Sequence, residues 1–200
     1  MGGRRMGSLL LAVACVGISA AAVYSLFGQQ ASSEVRVAPA EVTGSLASVE
    51  TARPAKGPSG LPVPRFVSLK TDTVNVRRGP SSEHAIAWVF KRKGLPVEII
   101  AEFEHWRRIR DSEGEEGWVY MSMLAGQRTA IVAPWKKDQA IAMRRGAEDQ
   151  AAKLAMLKSG VVGEVSGCTG NWCAMSVDGF DGWVEQSQLF GVYPGERIAD

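Results

Sequence analysis

The residues best placed by type and spacing for covalent chemistry are the two cysteines of Cys168-Thr-Gly-Asn-Trp-Cys173. Across a hairpin in an oxidising compartment this spacing suits a disulfide, whose six-residue ring would add about 2 kcal/mol of stability. The alternative is a redox pair, but the spacing is Cys-x4-Cys, not the Cys-x-x-Cys of thioredoxin-like sites. Strand parity at this hairpin is not fixed by the pattern, so the pairing stays an expectation. The two histidines, His84 and His105, fall in one half of the chain and the third cysteine is Cys15. That is too few ligands for a multi-histidine or four-thiolate site, so no metal and no cofactor is expected. Cys173 with His105 is the one cysteine–histidine couple beyond residue 30. A nucleophilic enzyme also needs an orienting group, so the chain reads as non-catalytic, with a cysteine-dependent cell-wall enzyme as the remote alternative.

Recognition chemistry is better represented. Trp88, Tyr120 and Trp135 combine large apolar area with a polar tip, a profile enriched at binding surfaces, and Arg78 offers a planar fork for carboxylates. The charges nearly cancel, at 23 basic against 21 acidic residues. By segment they are 6 and 3 in residues 1–65, 9 and 9 in 66–127, and 8 and 9 in 128–200. No segment has the dense positive surface that a phosphate backbone requires, which excludes nucleic acid as a partner. Lys91-Arg92-Lys93 with Arg107, Arg108 and Arg110 could form a local basic patch. The acidic neighbours Glu102, Glu104, Asp111, Glu113, Glu115 and Glu116 are expected to neutralise it.

These residues sit in an internal repeat. Val74-Asn75-Val76-Arg77-Arg78-Gly79 matches Ile141-Ala142-Met143-Arg144-Arg145-Gly146 at an offset of 67, Trp106 matches Trp172 at 66, and Gly117-Trp118-Val119 matches Gly182-Trp183-Val184 at 65. A shared order of motifs over this length marks a structural unit used twice. Within each unit the pattern is that of short strands. Val97, Ile99, Ala101 and Phe103 alternate with Glu98, Ile100 and Glu102, and Ser112-Glu113-Gly114 and Asp178-Gly179 mark turns. Ala151–Lys158 reads as helix by propensity, but its repeat partner His84–Lys91 reads as strand, so strand is expected for both. Five or six short strands in about 60 residues suit a small barrel that closes its edges.

The run VNVRRGPSSEHAIAWV, then a hydrophobic strand, then Trp-x-x-Ile and Glu-Gly-Trp-Val resembles the bacterial SH3-like domain. The first copy, residues 66–127, matches closely; the second, 128–195, is divergent, with Ala142 for the asparagine and Ala147 for the proline. The resemblance implies two tandem small SH3-like β-barrels in an all-β protein of a Gram-negative cell envelope. It also implies a binding module for peptidoglycan, cell-wall peptide or an envelope protein. A membrane-tethered interaction or signalling module is the alternative.

The repeat separates fold from site. Features in both copies are assigned to the fold: Arg77 and Arg144, Gly79 and Gly146, Trp106 and Trp172, Trp118 and Trp183. One arginine of each copy is expected to satisfy turn carbonyls or carboxylates, with ligand capture as the rival. Features in one copy are free to serve a ligand: Trp88 aligns with Ala155, Tyr120 with Glu185, and Trp135 with Ser68 at the prevailing offset. With Arg78 they are the candidate binding residues; the rival reading has the unshared aromatics filling the contact between the copies.

The N-terminus sets the compartment. Arg4 and Arg5 precede Leu9–Phe27, an apolar run of about 28 Å as a helix. Residues 1–28 read as a secretory signal with a small-residue site near Ala20-Ala21-Ala22, or as an uncleaved inner-membrane anchor. Either places the rest in the periplasm. Residues 29–65 hold five prolines and no aromatic residue, and read as a disordered linker spanning about 35 Å r.m.s..

Overall fold

A computed structural model describes residues 55–199. The expected N-terminal helix and most of the linker lie outside these residues. Among the described residues no helix is long and apolar enough to cross a membrane.

The described residues form seventeen strands. A two-stranded hairpin, β1 (Ala55–Lys56) and β2 (Pro62–Val63), leads in. The first module follows as β3 (Arg65–Leu69), β4 (Val74–Arg77), β5 (Ile86–Phe90), β6 (Pro96–Phe103), β7 (Trp106–Arg110), β8 (Glu116–Tyr120) and β9 (Leu124–Ala125). The second repeats it as β10 (Thr129–Val132), β11 (Ala140–Arg144), β12 (Lys153–Lys158), β13 (Val162–Thr169), β14 (Trp172–Val177), β15 (Phe180–Glu185) and β16 (Leu189–Phe190), with β17 (Arg197–Ile198) added after it. In each module a single 3-10 turn, Met121–Met123 or Gln186–Gln188, precedes the last strand of the repeat.

The two sheets have the same antiparallel order: β5-β4-β8-β7-β6-β3-β9 and β12-β11-β15-β14-β13-β10-β16. The expected edge closure is not the observed one: each ladder path has two ends, β5 and β9 in the first module, β12 and β16 in the second. The Ala151–Lys158 segment is a strand, as its repeat partner implied. Context overrides propensity here because Leu157 must reach the core from beside β11.

Alternation builds each core. Val74 and Val76, Ile109 and Val119 point inward with Val67, Leu69, Val97 and Ile99. In the second module Met143, Val165, Met175, Val177, Val184 and Leu189 do the same around the Cys168–Cys173 pair. The alternation expected through Phe103 fails halfway along β6. A bulge between Ile99 and Ala101 shifts the register, and Phe103 ends half exposed. Pro96, Val97, Glu98 and Ile99 are all buried, because one face of β6 meets its own core and the other meets the second module.

That contact is an aromatic seam. The Phe66 ring lies edge-on to Phe190 at 5.3 Å and 4.8 Å from Tyr193. The Tyr193 hydroxyl donates to Glu98 Oε1 at 3.0 Å, and Thr129 Oγ1 donates to the Gly94 carbonyl at 2.7 Å. Gly191 (φ +120°) permits the close approach: a Cβ there would run into the Thr129 carbonyl oxygen and press on Pro96. Burial and the Glu98 carboxylate push the Tyr193 hydroxyl well above the usual tyrosine range. The seam therefore uses Phe66, Phe190 and Tyr193; of the unshared aromatics, only Trp88 borders the junction.

The linker boundary at Arg65 is also corrected. Residues 55–65 are ordered against the first module, although they contribute little apolar area. Their anchor is polar: the Glu102 carboxylate accepts from Ser59 N (2.9 Å), Ser59 Oγ (2.8 Å) and Arg65 Nη2 (2.7 Å), with Arg107 Nε at 3.2 Å.

Candidate binding clefts

The repeated arginines act first, as loop clamps. Arg77 Nη1 donates to the His84 carbonyl at 2.6 Å, and Arg144 Nη1 donates to the equivalent Ala151 carbonyl at 2.9 Å. Each guanidinium thus ties the end of its strand to the return of the following loop, which is the turn-carbonyl role expected of one arginine per copy. A Cβ at Gly79 would displace the exposed His84 ring packed over it; one at Gly146 would meet only Ala151 at 3.5 Å and Glu148 at 4.0 Å.

The clamped loop forms one wall of a cleft in each module. In the first, of about 540 Å³, Trp106 on β7 and Tyr120 on β8 are directly paired across the ladder, with rings edge-to-face at 5.4 Å. Asn75 and Arg77 from β4, Pro80 to Ser82 from the loop, Glu104 from the β6–β7 turn, and Met123 complete it. Tyr120 is 39% exposed. The second cleft, also about 540 Å³, shares four of these positions and is closed elsewhere by Val192, Pro194 and Gly195, which have no counterpart in the first. Trp172 replaces Trp106, and its direct ladder partner is Glu185 where the first module has Tyr120. Asp149 stands for Ser82, Gly170 for Glu104, and Trp135 joins from outside the repeat.

Trp135 does not align with Ser68. The Leu69 carbonyl accepts from Gly94 N, and the Val132 carbonyl accepts from Gly160 N, so Leu69 corresponds to Val132 at an offset of 63. The offset of 67 resumes at Val74 and Ile141. Trp135 therefore lies in a loop four residues longer than its counterpart, 55% exposed.

The four candidate binding residues are thus dispersed. Tyr120 lines the first cleft and Trp135 the second. Trp88 packs on the first core and against Phe90, and lines a smaller recess with Leu95, Pro96 and Ile131 at the junction. Its indole Nε1 is buried without a hydrogen-bond partner. Arg78 is exposed and lines neither cleft; its backbone N–H donates to the Ala85 carbonyl. Among the residues assigned to the fold, Trp106, Trp118 and Trp183 are half-buried rather than central, whereas Trp172 is 9% exposed. Recurrence marks both fold and cleft here, because Trp106 and Trp172 serve as cleft walls in their modules. Asn75, Glu104, Asp149 and Glu185 carry no binding role in the sequence reading; ladder register is the signal that brings them to the clefts.

Basic residues of β7 are neutralised across the sheet, Arg108 by Glu116 (2.8 Å) and Arg110 by Glu116 (3.0 Å) and Glu98 (3.3 Å). Cys168 and Cys173 are bonded to each other, as the spacing suggested, from directly opposed rungs of β13 and β14. Neither sulfur is then a thiolate available to His105, which removes the one cysteine–histidine couple.

A duplicated, small all-β module with an aromatic cleft on each copy is the class these features define. The family model described as Bacterial SH3 domain matches residues 70–126 and 137–191, more than half of the chain, and the chain belongs to that family. No curated protein sequence gives a match. Among solved structures, NlpC2 from Trichomonas vaginalis is similar at 10% identity and a TM-score of 0.30, over 64% of this chain and 48% of that one. NlpC1 from the same organism is similar at 10% identity and 0.29, over 68% and 48%. The chain spans about half the length of either, and a likeness this low says nothing of activity.

Proposed function

We propose that this protein is a non-catalytic cell-envelope binding module, exported to the periplasm or held at the inner membrane by residues 1–28, that recognises peptidoglycan or a cell-wall peptide through its two clefts. The observation that carries the reading is the equivalence of the clefts: the same loop clamp and the same ladder rung place a tryptophan at the same point twice. An aromatic wall edged by amide, hydroxyl and charged groups suits a ligand that alternates apolar and polar faces, as sugar and short-peptide polymers do. The seam fixes the two clefts on one body. A repeating ligand that reaches both gains effective concentration at the second without new contacts.

Retention of the full-length oxidised protein on purified cell wall tests this. Wild-type protein is expected in the wall pellet, and Trp106→Ala/Trp172→Ala in the supernatant, with unchanged far-UV circular dichroism. Equal recovery of wild-type protein with and without wall would remove the peptidoglycan reading and turn attention to an envelope protein.

A further inference from the structure

The two 3-10 turns differ in one chemical respect. Met121-Ser122-Met123 occupies the turn of the first module, and Gln186-Ser187-Gln188 stands at the same place in the second. Backbone bonding fixes the equivalence: Met121 N donates to the His105 carbonyl at 2.8 Å, and Gln186 N to the Asn171 carbonyl at 2.7 Å. Gln186 is buried and its amide is used at both ends, Oε1 accepting from Gly195 N at 2.8 Å and Nε2 donating to the Glu196 carbonyl at 2.9 Å. Met121 is 43% exposed, and among the described residues its sulfur is the one acceptor for Arg107 Nη2, at 3.9 Å. Arg107 is only 8% exposed. Its other nitrogens meet oxygen: Nη1 donates to the Glu104 and Trp106 carbonyls, each at 2.9 Å, and Nε faces Glu102 Oε1 at 3.2 Å. A thioether is a weak acceptor, so a largely buried guanidinium is left with an under-satisfied nitrogen beside an oxidisable atom.

We infer that Met121 is a site of reversible oxidation, with the sulfoxide oxygen received by Arg107 Nη2. The oxidant is a hydroperoxide. Its O–O bond breaks and an S–O bond forms on the thioether; the sulfur is oxidised, the peroxide is reduced, and hydrogen peroxide leaves as water. A dithiol reductant reverses the step, passing to its disulfide while the oxygen departs as water. The product exchanges a weak sulfur acceptor for an oxygen, which gives the Arg107 nitrogen a charge-assisted hydrogen bond. The turn that brings Tyr120 and Met123 into the first cleft is thereby tied to β7. Glutamine makes the equivalent position of the second module permanently polar; in the first, oxidation writes that polarity and reduction erases it. The other described methionines lack this combination. Met143 and Met175 are 0% and 2% exposed, and Met156, 54% exposed, has no hydrogen bond to its sulfur among the described residues. Met123 is half-buried and meets only the Thr71 hydroxyl, whose single proton is also within reach of the Thr73 carbonyl.

The test treats full-length, disulfide-bonded protein carrying 15N-labelled arginine with hydrogen peroxide until Met156 is converted, as followed by peptide mass spectrometry. Met121 is expected to gain one oxygen in the same interval, and Met143 and Met175 none. The Arg107 side-chain resonances are expected to shift, and exchange of the Met121 amide to slow about tenfold, the scale of one hydrogen bond to a charged group. A dithiol-dependent methionine sulfoxide reductase is expected to restore both. Met121→Leu, which keeps the apolar bulk, should abolish the Arg107 shift, and Met156→Leu should leave it in place; unchanged far-UV circular dichroism shows that both variants are folded. An unoxidised Met121 beside fully converted Met156, or a Met121 sulfoxide with the Arg107 resonances unmoved, would overturn the inference. None of these readouts involves cell wall, so a failure of wall retention leaves them untouched.

Discussion

One rung of the sheet is solved in two ways. Glu102 and Arg107 are directly opposed on β6 and β7, and Cys168 and Cys173 are directly opposed at the same rung of β13 and β14. In the first module a carboxylate with a side chain only 1% exposed gathers Arg65, Arg107 and Ser59. In the second, a covalent bond sits in the same place within the core. The arginine equivalent to Arg65 is Arg128, whose acid has moved: Arg128 forms a fork with Glu196, at 2.9 and 3.0 Å, near the C-terminus. Relocating the carboxylate from strand to tail frees the rung for sulfur. A segment from outside the repeat meets the same strand of each module: the β1–β2 turn through Ser59 on Glu102 of β6, and β17 through its pairing with β13 at Cys168. The disulfide depends on an oxidising compartment, and the ion cluster depends on pH.

Exchanging the devices should break the comparison hardest. Cys168→Glu/Cys173→Arg buries a charge pair where nothing equivalent to Ser59 exists and Arg128 is already held by Glu196. A loss of about 4 kcal/mol or more is expected, read as early melting of the second module by hydrogen exchange. Glu102→Gln comes next. It leaves Arg65 and Arg107 buried without their anion, at a cost of about 3 kcal/mol in chemical denaturation, and releases residues 55–63 to proteolysis. Cys168→Ala/Cys173→Ala should cost about 2 kcal/mol, by the ring-closure estimate, and leave exchange in the first module unchanged.

The smallest effects come from pH and separate the regions without mutation. Burial alone would push the Glu102 carboxyl up; the Ser59 N–H, Arg65, the Ser59 hydroxyl and the charge of Arg107 outweigh it and hold the group below its ordinary 4.5. A depressed carboxyl contributes stability that is present above 4.5 and lost as pH falls through the lower folded value. Acid should therefore loosen the first module and the β1–β2 hairpin before the second. Tyr193 has the opposite sign. Its raised hydroxyl contributes stability that is present below 10.0 and lost as pH rises towards its folded value, so alkali should open the seam first. Exchange rates of amides in β6, β13 and the Gly191 region, followed from acid to alkali, check both.

Much of this was legible in the residues because it repeats or is local. The duplicated arginines marked which loops are clamped, the cysteine spacing announced its bond, and the partner of Ala151–Lys158 corrected its helical propensity. What escaped depends on distant partners. Glu102 and Ser59 are 43 residues apart, so residues 55–65, which bury little apolar area, read as linker although one carboxylate holds them. The bulge in β6 is set by packing on two sides and leaves no mark in an alternating string. Trp135 was misaligned because a loop insertion cannot be placed until strand register is known, and Glu185 had no visible role until it stood across from Trp172.

Chemical-shift mapping of the full-length protein against soluble cell-wall fragments addresses the binding reading most directly. The account expects perturbations to cluster at the Trp106 and Trp172 indoles and the loops clamped by Arg77 and Arg144. Perturbations confined to the Trp88 recess or the exposed Arg78 face, with both cleft indoles unmoved at saturating fragment, would contradict it.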